Sequence, residues 1–261
     1  MTETEIKGGF STITYQSDGP VAIVTMNRPD KHNAISLQML HELRDAILQS
    51  DSDNTVNIIL LQAAGHKSFS AGIDLAAGIL DQPDKITDSM RNSLVPLLES
   101  MELCSKPIIA SVEGAAIGLG VSLALQCDLL AISERASLSL AFNKLGLIAD
   151  GGINWQLPIK VGYNRAFQMV LEAEILDAQT CLGLGLANKV MSAENMQKEV
   201  LEWARELAQR SSLAQAYTKR LMRNTIAGCN LLDTVNREAE LQATCADSDY
   251  FKDIYNGILN R

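Results

Sequence analysis

Apolar and polar positions along this chain follow two different periods, and the change of period marks its parts. Short apolar runs rich in β-branched residues recur as far as residue 140: Phe10 to Tyr15, Val21 to Met26, Asn57 to Gln62, Pro107 to Val112, Leu129 to Ile132 and Ala136 to Leu140. Runs of this length bounded by turn residues predict strands, and the wholly apolar ones predict strands buried on both faces. Between them lie segments with helical spacing. Ser36 is an N-cap residue ahead of Leu37, Leu40, Leu43, Ala46 and Ile47, and Met90, Leu94, Leu97, Leu98 and Met101 repeat the pattern. Val121 to Gln126 is apolar almost all round, which predicts a helix packed inside the protein. Further helices are predicted at Ile153 to Lys160, Asn164 to Glu172 and Ala178 to Leu184. From Ala193 the pattern is helical throughout: Glu194 to Ser211, Leu213 to Ile226, Leu231 to Thr244 and Ser248 to Leu259. Strands mixed with helices, then helices alone, predict an α/β core over 1–192 and a C-terminal helical region over 193–261.

With 261 residues, 47% hydrophobic and 20% charged, the chain suits one large domain with a smaller appendage. A formal net charge of −9 without a basic stripe argues against a nucleic-acid partner. No apolar run approaches about 20 residues, so no membrane span is expected. The polar, acidic start MTETEIKGGF does not read as a secretory leader, and a cytoplasmic location is expected. Cys104, Cys127, Cys181, Cys229 and Cys245 are scattered with no CxxC pair, and His32, His41 and His66 lack metal-ligand spacing. Neither a disulfide framework nor a metal site is expected.

Candidate chemistry lies in four loops. Gly114-Ala115-Ala116-Ile117-Gly118-Leu119-Gly120 joins the strand ending at Val112 to the buried helix. Main-chain N–H groups at such a helix start lack partners and favour negative charge. The same glycines also permit plain close packing of helix on strand, so this stretch alone leaves both readings open. The other loops are NRPDKHNA (27–34), FSAGIDL (69–75) and FNKLGLIADGG (142–152). In this order and spacing, and followed by a helical tail, the four loops resemble those of the crotonase, or enoyl-CoA hydratase/isomerase, superfamily. The resemblance covers nearly the whole chain.

It implies a spiral of β-β-α repeats whose C-terminal helices pack into a homotrimer or homohexamer. It also implies an acyl-CoA thioester as substrate, with CoA part of that substrate and no separate cofactor. The thioester oxygen would sit between the N–H groups of Ile73 and of Leu119, which follows Gly118 in the glycine turn. Losing one such donor typically costs about 3 kcal/mol of transition-state stabilisation. The resemblance further places CoA contacts at Lys31, His32 and Ala34, and a pantetheine–thioester channel along Ala71, Gly72, Ile73, Asp74 and Leu75. Read by themselves, Lys31 and His32 are an ordinary solvated loop, and Asp74 is a side chain that orders its own loop.

The two glutamates of the family's hydratases fall here at Ser122 and Phe142. Hydration needs a base for water and an acid for the α-carbon, and neither residue is a carboxylate, so simple hydratase activity is not expected. Asp150 is the remaining ionisable candidate. It stands where the ring-epoxide isomerases of phenylacetate degradation and the dienoyl-CoA isomerases carry a catalytic Asp. Read alone, Asp150 is equally an N-cap for the helix starting near Ile153. One base is enough for a 1,3-proton shift, and a wall of Phe142, Leu145 and Ile148 would raise its pKa. The resulting expectation is an enoyl-CoA isomerase. The alternatives are ring-epoxide isomerisation, thioester hydrolysis, enoyl-CoA hydration and a non-catalytic acyl-CoA-binding trimer. A dinucleotide fold is set aside, since Gly114-x-x-x-Gly118-x-Gly120 is not G-x-G-x-x-G. The acyl pocket is expected to be shaped by Ala76 to Met90, with a mobile polar stretch from Asp81 to Asp88.

Overall fold

The computed structural model describes residues 9–77 and 83–259. The first elements described are a hairpin of β1 (Ile13–Asp18) and β2 (Val21–Met26), antiparallel across Gly19-Pro20. β1 starts later than the apolar pattern from Phe10 suggested, because Glu42 captures the two residues before it. Its carboxylate accepts hydrogen bonds from Ser11 N and Oγ at 2.8 Å, and from Thr12 N at 2.8 Å and Oγ1 at 2.6 Å. Glu42 lies on α1 (Leu37–Ser52), where Ser36 Oγ accepts from Met39 N at 3.2 Å as the predicted cap.

The chain continues through β3 (Ile58–Ala63), β4 (Ser68–Ser70) and α2 (Pro83–Ser89). A π-turn over Met90–Leu94 leads into α3 (Val95–Leu103). Of the polar stretch expected to be mobile, Asp81 and Gln82 lie outside the described residues, and the remainder falls in α2. Next come β5 (Ile108–Val112), β6 (Ala115–Ile117), α4 (Leu119–Gln126), β7 (Leu129–Ser133) and β8 (Ser137–Ser139). They are followed by α5 (Ile153–Val161), α6 (Tyr163–Glu172), β9 (Ile175–Asp177), α7 (Ala178–Gly183) and β10 (Lys189–Met191). The helices α8 (Met196–Ala208), α9 (Ser212–Ile226), α10 (Leu231–Asp247) and α11 (Asp249–Leu259) complete the described chain.

The strands form two sheets. One is six-stranded in the order β1-β2-β3-β5-β7-β10, parallel from β2 onward, and the other is four-stranded in the order β4-β6-β8-β9. Each turn of the chain lays a long strand in the first sheet and then a short one in the second: β3 and β4, β5 and β6, β7 and β8. This is an α/β spiral of β-β-α repeats. Of the second sheet, β8 lies within the strand expected at Ala136 to Leu140, while β4 and β6 escape a reading of periodicity because three residues hold barely one alternation. β4 and β6 fall in segments that read as loops.

Both faces of the first sheet are covered, which is why β2, β3 and β5 are apolar almost throughout. One face packs on α1, α3 and α4. The other is closed by α8, whose Met196, Val200, Ala204 and Ala208 meet Val21, Ile58, Leu60 and Ile109. α8 therefore serves the core directly. By contrast, α9 and α10 hold no buried residue and carry exposed Met222, Ile226, Leu231, Leu232 and Val235. α9 is pinned to the core by charge: Asp128 meets Lys219 Nζ and Arg223 Nη2, each at 2.8 Å, and also accepts from Ile108 N. No helix among the described residues is long and apolar enough to cross a membrane.

Candidate active site

Two turns meet at the end of the second sheet. After β4, residues 71–75 run beside Ile35, which donates from its N–H to Gly72 O at 2.7 Å and accepts from Asp74 N at 2.9 Å. In a parallel bridge of this kind the intervening residue, Ile73, turns its own N–H away from that partner. After β6, Leu119 is the first residue of α4, so its N–H has no partner within the helix. Among the described residues neither amide donates a hydrogen bond. The turns touch at Gly72, whose φ is +90°. A Cβ there would lie 2.9 Å from Ile117 O and 3.6 Å from Leu119 N, so a side chain would hold the two turns apart.

Ile73 and Leu119 line one cleft of about 770 Å³, measured to include its open mouth. Leu37 and Leu40 of α1, Ile86 of α2, and Met90 and Leu94 of the π-turn form one side. Phe142, Leu145 and Leu147 form the other, and the Phe142 ring lies 3.8 Å from where a Cβ on Gly118 would stand. Ile148, expected in this wall, is instead 83% exposed, and Leu147 takes its place. Among the described lining residues, Asp150 is the sole ionisable group.

Asp150 does not cap α5. The residue at the cap is Gly152, with φ +81° and no side-chain cap bond, while Gly151 has φ +68°. These consecutive left-handed residues turn the chain between Asp150 and the helix, so the carboxylate is carried to the cleft and not to the first amides of α5. Its Oδ1 is buried, and the carboxylate accepts no hydrogen bond among the described residues. Burial without a compensating donor or cation pushes its pKa up to about 6.

The loop at 27–34 stands apart from the cleft wall. Lys31 and His32 are exposed on a tight turn and do not line the cleft. Arg28 joins this loop to the next one. Its Nη1 donates to Ala34 O at 2.7 Å and its Nη2 pairs with Asp74 Oδ2 at 2.9 Å. Asp74 Oδ1 also accepts from Ala76 N at 3.1 Å, and Ala71 N donates to His32 O at 3.0 Å. Asp74 thus holds its loop in place from outside the cleft, while Ala71, Gly72, Ile73 and Leu75 line it. Asn33 was not singled out from sequence. It is fully buried at φ +52°, accepts from Arg28 N at 2.9 Å, and donates to Ala64 O at 3.0 Å and Ser68 O at 2.9 Å. Asn tolerates that backbone better than most residues, which is the one local signal it carried.

Comparison with known proteins gives a consistent picture. The enoyl-CoA hydratase/isomerase family model matches residues 16–260. A Rhodobacter capsulatus protein named probable enoyl-CoA hydratase is 30% identical over 252 residues, covering 97% of this chain and 96% of that protein. An Arthrobacter protein named 4-chlorobenzoyl coenzyme A dehalogenase-2 is 34% identical over 209 residues, covering 78% of this chain and 74% of its own length. The crystal structure of an enoyl-CoA hydratase from Polaromonas sp. JS666 superposes with a TM-score of 0.88 at 27% identity, over 95% of this chain and 96% of that one.

Proposed function

Since the chain belongs to the enoyl-CoA hydratase/isomerase family, we propose that it is an isomerase that moves the double bond of an enoyl-CoA thioester from the β,γ to the α,β position. The observation that carries this reading is Asp150, the sole ionisable group among the described lining residues of a largely apolar cleft, whose buried Oδ1 has no hydrogen-bond partner among the described residues. The Asp150 carboxylate takes a proton from the α-carbon. The electron pair moves onto the thioester oxygen to give a dienolate, held by the N–H groups of Ile73 and Leu119. The same carboxyl group returns the proton at the γ-carbon, the double bond settles between the α- and β-carbons, and the base is regenerated. The apolar wall supports this role, because a pKa near 6 matches a base working near neutral pH. Lys31 and His32, exposed beside the channel loops, would take the nucleotide end of CoA.

The hydratase names of several relatives do not transfer directly. Ser122 donates its hydroxyl hydrogen to Asp150 O, and Phe142 is apolar, so the described lining lacks the pair of carboxylates that hydration uses. A second reading follows from the dehalogenase relative and from the Asp150 carboxylate, which accepts no hydrogen bond among the described residues. Asp150 would attack a ring carbon bearing a halogen and expel halide, after which water would cleave the aryl ester. No second ionisable group among the described lining residues is present to activate that water.

The test is Asp150→Asn, assayed by NMR in heavy water with short-, medium- and aryl-chain β,γ-enoyl-CoA thioesters. Isomerisation should fall by a factor on the order of 10² to 10⁴, and deuterium exchange at the α-carbon should vanish while thioester affinity changes little. Full activity in the variant overturns the reading. Halide release from 4-chlorobenzoyl-CoA, with no isomerisation of any enoyl ester, replaces it with the second.

A further inference from the structure

The Asp150 carboxylate accepts no hydrogen bond among the described residues, so its placement rests on its main chain and on what holds residues 149–151. Two side chains do so. Asn154 Nδ2 donates to Ala149 O at 2.5 Å, from the first turn of α5. Ser122 Oγ donates to Asp150 O at 2.8 Å, from within α4. The other donor to Asp150 O, Ile153 N, is at 3.4 Å, beyond ordinary hydrogen-bond length.

Ser122 is fully buried, and the loop lies directly on it. A Cβ added to Gly151 would fall 2.6 Å from Ser122 Cβ and 2.8 Å from Leu119 Cδ1. A buried helical serine usually donates to the carbonyl one turn back. Ser50 in this protein does so, bonding Ala46 O at 2.7 Å. Ser122 donates instead across the structure, to a residue on a separate loop. Its place on α4 matters too. Leu119, the first residue of that helix, lies one turn before Ser122 and presents the amide assigned above to the thioester oxygen.

We infer that Ser122 is a positioning residue for Asp150, and that α4 fixes the distance between the oxyanion-binding amide and the base by carrying Leu119 and Ser122 on one rigid turn. The inference rests on Asp150 acting as the base. Without the Ser122 hydroxyl, the Asp150 carbonyl keeps only a long contact to Ile153, and the carboxylate drifts relative to the α-carbon. Small displacements of a reacting group lower turnover more than they lower binding.

The experiment is a double-mutant cycle with Ser122→Ala and Asp150→Asn, read by turnover of a medium-chain β,γ-enoyl-CoA, with circular dichroism to confirm folding. Ser122→Ala should lower kcat about 10- to 100-fold with KM within about twofold, and should shift the acid limb of the pH–rate profile. In the Asp150→Asn background the same substitution should change residual turnover little, because its effect passes through the missing base. Ser122→Cys, a weaker donor of similar size, should fall between wild type and Ser122→Ala, and it replaces the alanine variant if that one does not fold. Wild-type kcat and pH profile in a folded Ser122 variant, or equal losses in both backgrounds, overturn the inference while leaving Asp150 as the base. Full activity of Asp150→Asn alone removes the base assignment, and the inference with it.

Discussion

The guanidinium of Arg28 meets the carboxylate of Asp74 at 2.9 Å, and this pair makes one body of the loop bearing Lys31 and His32 and the loop bearing Ile73. The same guanidinium donates to Ala34 O, a fork that a lysine cannot reproduce. Arg28→Lys should fold, lose about 1–2 kcal/mol in chemical denaturation, and lower kcat/KM about tenfold by loosening the Ile73 amide. Unchanged kinetics would show that the two loops keep their places without the pair.

Gly72→Ala tests the contact between the two turns. The new methyl group would meet Ile117 O at 2.9 Å on a backbone at φ +90°, where a side chain is strained as well. Turnover should drop by 10² or more, roughly the loss of one oxyanion donor, in a variant that still folds by circular dichroism.

Asp150 sets opposing demands on activity and stability. Its folded pKa of about 6 lies above its ordinary value of 3.8 because burial disfavours the charge. The folded state therefore holds the proton more tightly than the unfolded chain, and the stabilisation is present at low pH and lost as pH rises through about 6. The loss is about 3 kcal/mol. Asp150→Asn should accordingly be more stable than wild type at neutral pH by about 1–3 kcal/mol, with the difference disappearing below about pH 4. kcat/KM of the wild type should rise with pH and level off above about 6, as the carboxylate form accumulates.

Glu42 behaves in the opposite sense. Burial pushes its pKa up, but donors from Thr12, Gln38 and Ser11 outweigh burial and hold it near 2, below the ordinary 4.5. Its contribution is present above about pH 4.5 and is lost as pH falls toward 2, a change of about 3 kcal/mol. Glu42→Gln places an amide among donors and should lose a similar amount at neutral pH, with much less further loss on acidification. Urea denaturation at several pH values distinguishes the two profiles.

Assembly is the last prediction. α9 and α10 bury no residue while exposing Met222, Ile226, Leu231, Leu232 and Val235, and α11 exposes Ile254 and Ile258. So large an apolar surface on the tail calls for a partner. Sedimentation at micromolar concentration should give a trimer or a multiple of it, and a monomer would contradict this.

The strands β2, β3, β5 and β7 were legible because each is a largely buried apolar run, and Ser36 was legible as a cap because its hydroxyl does what its place in the sequence suggests. Ser68–Ser70 was not, since a three-residue Ser-Phe-Ser segment is too short to show a period and becomes a strand only by pairing with Ala115 and Ala116. The bridge between Ile35 and Ile73 is likewise a tertiary event with no local pattern. Asp150 was marked out by the family resemblance, which places a catalytic Asp at its position. Whether it capped α5 or faced the cleft depended on the backbone angles of Gly151 and Gly152, and a glycine pair permits both outcomes.

The cover that α8 gives the large sheet has a consequence for how the protein is made. Val21, Ile58 and Leu60 are synthesised early, but the residues that shield them run from Met196 to Ala208. The same helix is fastened back through Asn57 Nδ2 to Ala208 O at 3.0 Å and through Arg205 to Asp18 at 2.7–2.8 Å. At typical translation rates the strands wait on the order of 10–40 s for that helix, holding an apolar sheet face open to solvent. A nascent chain stalled before Met196 is therefore a natural client for a chaperone, and the finished core closes only when its two ends meet.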